Sequence, residues 1–571
     1  MCGIFSLLNG SFIIRDKINN CFKKGSKRGP ESSIILNPNS NTLIGFHRLA
    51  INGLNEESNQ PLKINDIILI CNGEIYNYKE LYKMMDIEPI TDSDCEVIIY
   101  LYEKYGIEQT LQMLDGVFAF MIFDLRNDNN EKIYISRDPY GVRPMYCFYS
   151  QYSLTELAGF ASDLDCLYDI YNNYTNINNC RLTHFEPGTF VHYSRKDEEN
   201  WKYEYKRKYN SVGFDSIITY NNYDINDIYS NIQKYLTVAV NKRCLTTERP
   251  IACLLSGGLD SSLITALVNK YMKQNNMNKL ETYSIGIEGS CDLIYAKKVA
   301  DFLGTNHIEI IVTEDDMFNA VDEVIYHISS YDTTTVRASI GNYLIGKYIS
   351  THSDAKVIFN GDGSDELAGG YMYMHKAPDS IEFDKECRRL LSKIYSFDVL
   401  RSDKCISSHG LEPRTPFLDR SWINYYLSIS PDIRNHSKNG QIEKYLIRKS
   451  FSKEVYGEDL LPSEVLWRSK EAFSDGVSKN DRSLYEILQD KIRNKLNIQM
   501  ENERMDLSKL DLKSHLLPET LEQDYYRSIF EKYYSGIGDI LEFFWMPKFV
   551  NAKDSSARTL DIYKEKNNII N

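Results

Sequence analysis

Ile251-Ala252-Cys253-Leu254-Leu255-Ser256-Gly257-Gly258-Leu259-Asp260-Ser261-Ser262-Leu263-Ile264-Thr265-Ala266-Leu267-Val268 joins two apolar runs through a turn rich in serine and glycine. Residues 251–255 form an apolar run of strand character and residues 263–268 read as a helix, so the Ser/Gly-rich piece between them is a strand-to-helix turn. Such a turn aims unpaired backbone N–H groups at an anion, and the helix dipole adds to the attraction. The Lys-Ser/Thr ending of a Walker loop is missing, which separates this site from a kinase-type one. Residues 282–287, 307–312 and 356–359 are further strand candidates, with helical spacing between them. The alternation predicts a doubly wound parallel sheet with ligands at the carboxyl ends of its strands.

One of those ends carries Asn360-Gly361-Asp362-Gly363-Ser364-Asp365-Glu366-Leu367-Ala368-Gly369-Gly370-Tyr371. Its clustered carboxylates face the expected phosphate site, where hard oxygens suit Mg²⁺ held by one or two side chains and phosphate oxygens.

A separate signal stands at the start of the chain. Met1 is followed by Cys2-Gly3-Ile4-Phe5, so removal of one initiator methionine leaves a cysteine bearing a thiol and a free α-amine. The amine can take up the thiol proton near neutral pH, which makes Cys2 a nucleophile with its base attached. Residues 67–71 read as a buried strand running into Asn72-Gly73-Glu74-Ile75-Tyr76-Asn77. Gly73 at the expected strand end and the Asn72 amide offer two donors, which a tetrahedral oxyanion needs. Arg48, in Gly45-Phe46-His47-Arg48-Leu49-Ala50-Ile51, can fork onto a carboxylate, and the acids of residues 91–97 can hold an ammonium.

These pieces, with Arg137-Asp138-Pro139-Tyr140-Gly141-Val142-Arg143-Pro144-Met145-Tyr146, resemble the N-terminal-nucleophile (Ntn) glutamine amidotransferase domain, which implies an αββα fold. The Ser256 to Ser262 loop resembles the pyrophosphate loop of the ATP pyrophosphatases. Residues 331–339, 371–378, 410–419 and 467–476 are similar to the synthetase domain of glutamine-hydrolysing asparagine synthetases, and the likeness runs from Cys2 to about residue 550.

The resemblance implies that Cys2 attacks the glutamine amide, with Asn72 and the Gly73 N–H forming the oxyanion hole. It puts glutamine against Arg48, Leu49, Ala50, Ile51, Asn52, Asn72, Gly73, Glu74 and Asp94, with Arg48 on the α-carboxylate and Glu74 and Asp94 on the α-ammonium. ATP is expected against Leu254, Ser256, Gly257, Gly258, Asp260, Ser261, Ser262, Ile285, Asn360 and Gly361. Asp260 and Asp365 are the expected Mg²⁺ ligands, Thr334, Thr335 and Arg337 the neighbours of aspartate and its adenylate, and Lys470 the cation facing developing phosphate charge. The implied reaction is ATP-dependent amidation of aspartate through β-aspartyl-AMP, using ammonia released from glutamine. Two positions depart from the family's Ser-Gly-Glu-Gly-Ser-Asp-Glu: Asn360 stands for the serine and Asp362 for the glutamate linked to adenylate formation. A related amidotransferase acting on another carboxylate, and a catalytically weakened ligand-binding regulator, are the alternative readings.

Composition sets the bounds. The chain has 571 residues, room for several domains, and a formal net charge of −14, which argues against general nucleic-acid binding. Its 12 cysteines lack paired Cys-x-x-Cys spacing, so neither a zinc ribbon nor a disulfide framework is favoured. No apolar run is long enough to cross a bilayer and no signal peptide is recognisable, so a cytoplasmic location is expected. The partners implied are glutamine, aspartate and ATP, without nucleic acid or membrane, and with a second copy of the chain as a candidate. The expected division is an amidotransferase domain over 2–190, a linker and polar insertion over 191–227, a synthetase domain over 228–553 and a polar tail over 554–571.

Overall fold

The computed structural model describes residues 1–127, 130–150, 156–175, 180–196, 199–211, 224–470, 476–478, 482–499, 516–552, 554–561 and 563. The chain folds as two compact units. The first consists of Met1–Val212 together with two later segments, Leu245–Pro250 and Ser407–Glu412; the second of Gly213–Cys244, Ile251–Ile406 and Pro413–Asn571.

Two six-stranded sheets make the first unit. One runs, edge to edge, β10 (Thr183–His184), β8 (Tyr146–Phe148), β9 (Ala158–Ala161), β1 (Gly3–Leu8), β3 (Thr42–Arg48) and β2 (Ser32–Asn39). The other runs β12 (Lys202–Lys208), β11 (Thr189–Arg195), β7 (Glu131–Arg137), β6 (Gly116–Asp124), β5 (Ile67–Ile75) and β4 (Leu62–Ile64). Side chains on a strand alternate between faces, and β5 exploits both. Ile68 and Ile70 join Ile4, Leu8 and Phe46 in the core between the sheets. Ile67, Leu69 and Cys71 point the other way, into a core with Leu81, Tyr82, Ile98 and Leu101 from the helices Tyr78–Met85 and Val97–Met113. On the outer face of the first sheet the helix Arg15–Lys24 packs Phe22 against Phe5, ring centroids 5.8 Å apart. The layering is αββα.

Two expectations change here. The strand expected over 67–71 continues to Ile75, so Asn72 and Gly73 lie within it, Gly73 opposite Phe118 of β6. A Cβ at Gly73 would stand 2.4 Å from the Val117 carbonyl oxygen, so glycine is required by the close approach of the neighbouring strand. The linker expected over 191–227 contains most of β11 and all of β12, which pair antiparallel at the edge of the second sheet. Its polarity is that of a half-solvated edge strand, with Tyr203 and Tyr205 alternating with charged residues. Residues 219–223 of the Asn/Tyr-rich stretch 219–227, with 212–218 before them, lie outside the described residues.

The second unit holds a five-stranded sheet in the order β15 (Asn306–Ile311), β14 (Glu281–Gly286), β13 (Ile251–Leu254), β16 (Val357–Phe359) and β17 (Glu412–Arg414). β13 runs parallel to both β14 and β16, and β14 parallel to β15. β13, β14, β15 and β16 each lie within about one residue of their expected bounds, and β17 was not expected. The chain leaves β13 in one direction through β14 and β15, then returns to its other side at β16, so the order reverses between β13 and β16. That reversal opens a crevice at the carboxyl ends of the two strands, the usual ligand position of an open α/β sheet. All 12 cysteines are free, and among the described residues no helix is long and apolar enough to span a membrane.

Candidate functional site

In the first unit, β1 begins one residue after Cys2 and pairs with β3, Gly3 opposite His47. That register sets the Cys2 thiol beside the end of β3, where it donates to the Leu49 carbonyl at 3.5 Å. The Arg28 Nε donates to the Cys2 carbonyl at 3.0 Å. Burial pushes the thiol pKa up, against the pull of the α-amine charge. Burial also draws the Met1 amine down to about 6, favouring a neutral amine at this end of the chain. Asn72 is fully buried; its Nδ2 donates to Ser162 Oγ at 3.4 Å and its Oδ1 has no hydrogen-bond partner.

Glu74 and Asp94, expected at the ammonium, come together with Asn52. Asn52 Nδ2 lies 2.6 Å from Glu74 Oε2 and 3.5 Å from Asp94 Oδ1, and the other Asp94 oxygen accepts the Ile75 N–H at 2.6 Å. The rest of the loop expected to meet glutamine is held by partners of its own. Arg48 donates to the carbonyls of Gly53 and Asn55 and to Asn59 Oδ1, the latter two at 2.9 and 2.6 Å. Ala50 N–H donates to Glu31 Oε2 at 2.8 Å, and the Ala50 carbonyl accepts from Arg249 Nε at 2.8 Å. The Ile51 carbonyl accepts the Glu248 N–H at 3.0 Å, and Glu248 Oε1 accepts the Gly53 N–H at 2.7 Å. Glu248 and Arg249 thus form a strap over the loop, a pairing across nearly two hundred positions that no local pattern signals.

The motif at residues 137–146 folds as a turn held by its own side chains. Arg137 donates to the carbonyls of Arg143, Phe185 and Gly141 at 2.7, 2.7 and 2.9 Å. Asp138 accepts the N–H groups of Tyr140, Val142 and Arg143 at 3.0–3.1 Å.

In the second unit, a cavity opens at the reversal of strand order. Of the expected residues it is lined by Leu254, Ser256, Gly258, Asp260, Ser261, Ile285, Thr334, Thr335, Asn360, Gly361, Asp362, Asp365 and Lys470. Gly257 turns the loop at φ +71°, where a Cβ would meet the Ala296 nitrogen at 2.4 Å. Ser256 Oγ and Ser261 Oγ lie 2.9 Å apart, tying the loop to the first turn of the helix Leu259–Gln274. Ser262 is fully buried beneath that turn. Gly361 lets the second loop close onto the first, since a Cβ there would stand 2.7 Å from the Ser261 nitrogen. Asn360 uses its longer side chain to donate to Ser402 Oγ at 2.7 Å.

The charged groups interlock. Lys444 Nζ lies 2.5 Å from Asp260 Oδ2 and 2.6 Å from Asp365 Oδ1, while Lys470 Nζ lies 2.6 Å from Asp365 Oδ2 and 3.7 Å from Asp260 Oδ2. Burial pushes the Asp365 carboxyl up, but the two lysines outweigh it and hold it well below the carboxylate range. Burial likewise acts against charge on Lys470, and Asp365 and Asp260 outweigh it and raise its pKa. Asp260 Oδ1 is buried without a hydrogen-bond partner. Two hard carboxylates with a spare oxygen beside a phosphate-binding loop fit Mg²⁺, which needs few protein ligands.

Asp362 Oδ1 accepts from Arg401 Nη2 at 3.0 Å, and Arg401 also pairs with Asp398. Burial raises the Asp398 carboxyl to about 6; Arg401 opposes this and Asp362 adds to it. Thr334 Oγ1 is buried without a hydrogen-bond partner and lines the cavity. Thr335 spends its hydroxyl on Asp332 Oδ2 at 2.7 Å, capping the helix Thr333–His352.

Arg337 is the correction. It lies on the same helix but outside the cavity lining, fully buried between Glu522 and Asp554. The physical reason is valence: two carboxylates take its N–H groups in bidentate fashion. Asp554, the first residue of the expected polar tail, is packed against Arg337; residues 562 and 564–571 lie outside the described residues. Residues 471–475 of the 467–476 motif also lie outside them. Sequence reasoning missed Lys444, Asp398, Arg401 and Trp545, none of which sits in a pattern that marks it.

Comparison with known proteins bears on both units. The glutamine amidotransferase domain family matches residues 1–203, and the asparagine synthase family matches residues 231–385 and 378–535. Glutamine-hydrolysing asparagine synthetases of Cricetulus griseus and Homo sapiens are 40% and 39% identical to the chain over 582 residues, and that of Gallus gallus 41% over 591. Each alignment covers 99% of this chain and 99% of the relative.

Proposed function

This chain belongs to the family of glutamine-hydrolysing asparagine synthetases, and from that membership we propose how its residues divide the work. The reaction is ATP-dependent synthesis of asparagine with glutamine as nitrogen donor. The first unit releases ammonia and the second activates aspartate.

In the first unit, Cys2, freed of Met1, loses its thiol proton to its own α-amine and attacks the glutamine side-chain carbonyl. Negative charge collects on the carbonyl oxygen, where Asn72 Nδ2 and the Gly73 N–H receive it. Collapse expels ammonia and leaves a thioester, which water hydrolyses to glutamate and free Cys2. Glu74 and Asp94 hold the α-ammonium, with Asn52 between them. Arg48 shapes the loop and offers the α-carboxylate its positive charge.

In the second unit, the Ser256 to Ser262 loop and its helix N-terminus hold the ATP phosphates. The β-carboxylate of aspartate attacks the α-phosphorus, forming β-aspartyl-AMP and releasing pyrophosphate; ammonia then displaces AMP to give asparagine. Thr334 Oγ1 offers a hydrogen bond to aspartate, and Lys470 neutralises charge that develops on the phosphates. Asp260 and Asp365 would hold Mg²⁺, which when bound supplies further neutralisation of the pyrophosphate. Asp362 occupies the family's glutamate position and is oriented by Arg401.

The observation that carries this reading is the meeting of Lys470 and Asp365, 2.6 Å apart, beside the loop at the switch point of the sheet. The test is a double dissociation. Cys2→Ala should abolish asparagine formation from glutamine and keep the ammonium-dependent reaction; Lys470→Ala should abolish both routes to asparagine and keep glutaminase activity. Asparagine, AMP, pyrophosphate and glutamate are each measured. Loss of the ammonium reaction in folded Cys2→Ala protein, or of glutaminase in folded Lys470→Ala protein, would refute the division.

A further inference from the structure

Behind the aspartate side of the cavity lies chain that the asparagine synthase match, which ends at residue 535, does not reach. Trp545 belongs to it and lines the cavity together with Thr334, Thr335 and Tyr371. The Trp545 backbone N–H donates to Asp332 Oδ1 at 2.8 Å. The other Asp332 oxygen accepts the Thr335 N–H at 2.8 Å and the Thr335 hydroxyl at 2.7 Å. One buried carboxylate therefore joins the C-terminal stretch to the helix turn that presents Thr334. On its other side the Trp545 ring packs against Tyr371, centroids 5.2 Å apart and planes tilted by 54°. The Tyr371 hydroxyl donates to Glu366 at 2.5 Å, so the indole also braces the acidic loop.

The stretch is clamped a few residues later. Arg337, one turn beyond Thr334, donates through Nε and Nη2 to Glu522 at 2.8 and 2.5 Å. Through Nη1 and Nη2 it donates to the two Asp554 oxygens, both at 2.8 Å. A doubly bidentate guanidinium is rigid as well as attractive, and here it ties the helix of Thr334 to the chain on either side of Trp545.

We infer that Trp545 is a positioning residue for aspartate activation, holding the Thr334 turn and Tyr371 at fixed separation, with the Arg337–Asp554 pair as its clamp. This rests on the reading of the cavity as the ATP and aspartate site. Trp545 touches no reacting atom in this scheme; it acts through Asp332 and Tyr371. The indole is a large rigid body with few torsions, so its loss frees the Tyr371 wall and leaves the backbone bond to Asp332 without the ring that holds that stretch of chain in place.

The experiment is ammonium-dependent synthesis by full-length Trp545→Ala, Trp545→Phe, Asp554→Ala and Thr334→Val proteins, with ATP affinity and glutaminase activity measured on each. Trp545→Ala should raise the aspartate KM about ten-fold or more while ATP affinity stays within about two-fold and glutaminase is unchanged. Trp545→Phe, which keeps a ring against Tyr371, should recover most of the loss, and Asp554→Ala should shift the aspartate KM in the same direction by a smaller factor. An unchanged aspartate KM in Trp545→Ala, or equal loss of aspartate and ATP affinity, overturns the inference. Should Trp545→Ala not fold, Asp554→Ala decides by the same split. Thr334→Val separates the two levels: if it leaves aspartate KM unchanged, the reading of the cavity fails; if it raises KM while Trp545→Ala does not, only the positioning role fails.

Discussion

Lys444 sits where two carboxylates meet, and its removal has a calculable cost. Its ammonium is buried, with Asp260 at 2.5 Å and Asp365 at 2.6 Å. Lys444→Met keeps most of the apolar stem and deletes the charge, leaving both acids in a low-dielectric site. Removing one partner of a buried pair costs about 3–5 kcal/mol. Asp365 keeps Lys470 at 2.6 Å, whereas Asp260 has Lys470 only at 3.7 Å, so the lower end applies. At about 2–4 °C per kcal/mol for a sizeable domain, a loss of about 3 kcal/mol lowers the Tm of the synthetase unit by about 6–12 °C. The assay is thermal unfolding without nucleotide at pH 7, with Asp260→Asn made in both backgrounds. Because Asp260→Asn removes the orphaned charge, it should recover part of the lost stability in Lys444→Met protein while destabilising the parent. A Tm within about 2 °C of the parent, or simple additivity of the two changes, would show that the lysine does not stabilise this pair. Ammonium-dependent synthesis should fall by about a hundred-fold in Lys444→Met, since Asp365 and Lys470 lose their fixed geometry.

Asp362→Asn should suppress aspartate-dependent ATP–pyrophosphate exchange by about a hundred-fold or more with ATP affinity within about three-fold, and Asp362→Glu should restore or raise exchange; unchanged exchange in the Asn variant sinks the role of that carboxylate. The same variant tests linkage: burial first, with Asp362 adding, lifts Asp398 from 3.8 to about 6, so its contribution to stability is full below about 4 and is lost as pH rises through 6. With the Asp362 charge gone Asp398 should titrate lower, and the stability–pH profile between 4 and 6 should flatten; an unaltered profile would refute the coupling. Arg249→Ala should raise the glutamine KM by about three- to ten-fold, by releasing the Ala50 carbonyl and Glu31, and leave ammonium-dependent synthesis unchanged. An unchanged glutamine KM would deny the strap a role in recognition.

What could be read in the sequence was whatever is written contiguously. The strand, turn and helix of residues 251–268 are legible because one short stretch carries all three parts. Gly73 misled because a glycine inside a strand looks like an end until the Val117 carbonyl across the sheet is known. β12 carried a legible signal in the alternation of Tyr203 and Tyr205 with charged residues, and high polarity masked it. Lys444, Arg401 and Trp545 could not be read at all, since their meaning lies in partners brought together only by tertiary folding. Arg337 shows the limit of transfer from a motif: the motif is contiguous, but Glu522 and Asp554, both remote in sequence, decide what it touches.

The strap carries one more consequence for the division of labour. Leu245–Pro250 belongs to the first unit although it follows the helix Ile225–Leu245 and leads directly into β13 of the second. Ser407–Glu412 does the same between other elements, and supplies the Leu411 carbonyl that accepts from the Met1 amine at 3.3 Å. A protein cut at residue 212 therefore lacks part of its own amidotransferase unit: the Gly53 N–H loses Glu248, the Ala50 and Ile51 carbonyls lose Arg249 and the Glu248 N–H, and Arg28 loses the Ser407 hydroxyl at 2.8 Å. Buried polar groups left without partners cost about 1–3 kcal/mol each, and those at Ala50, Ile51 and Gly53 cluster on the loop proposed to receive glutamine. On the proposed division, substitution at Cys2 or Lys470, which leaves that loop intact, should separate the two half-reactions, whereas severing the chain between them should not.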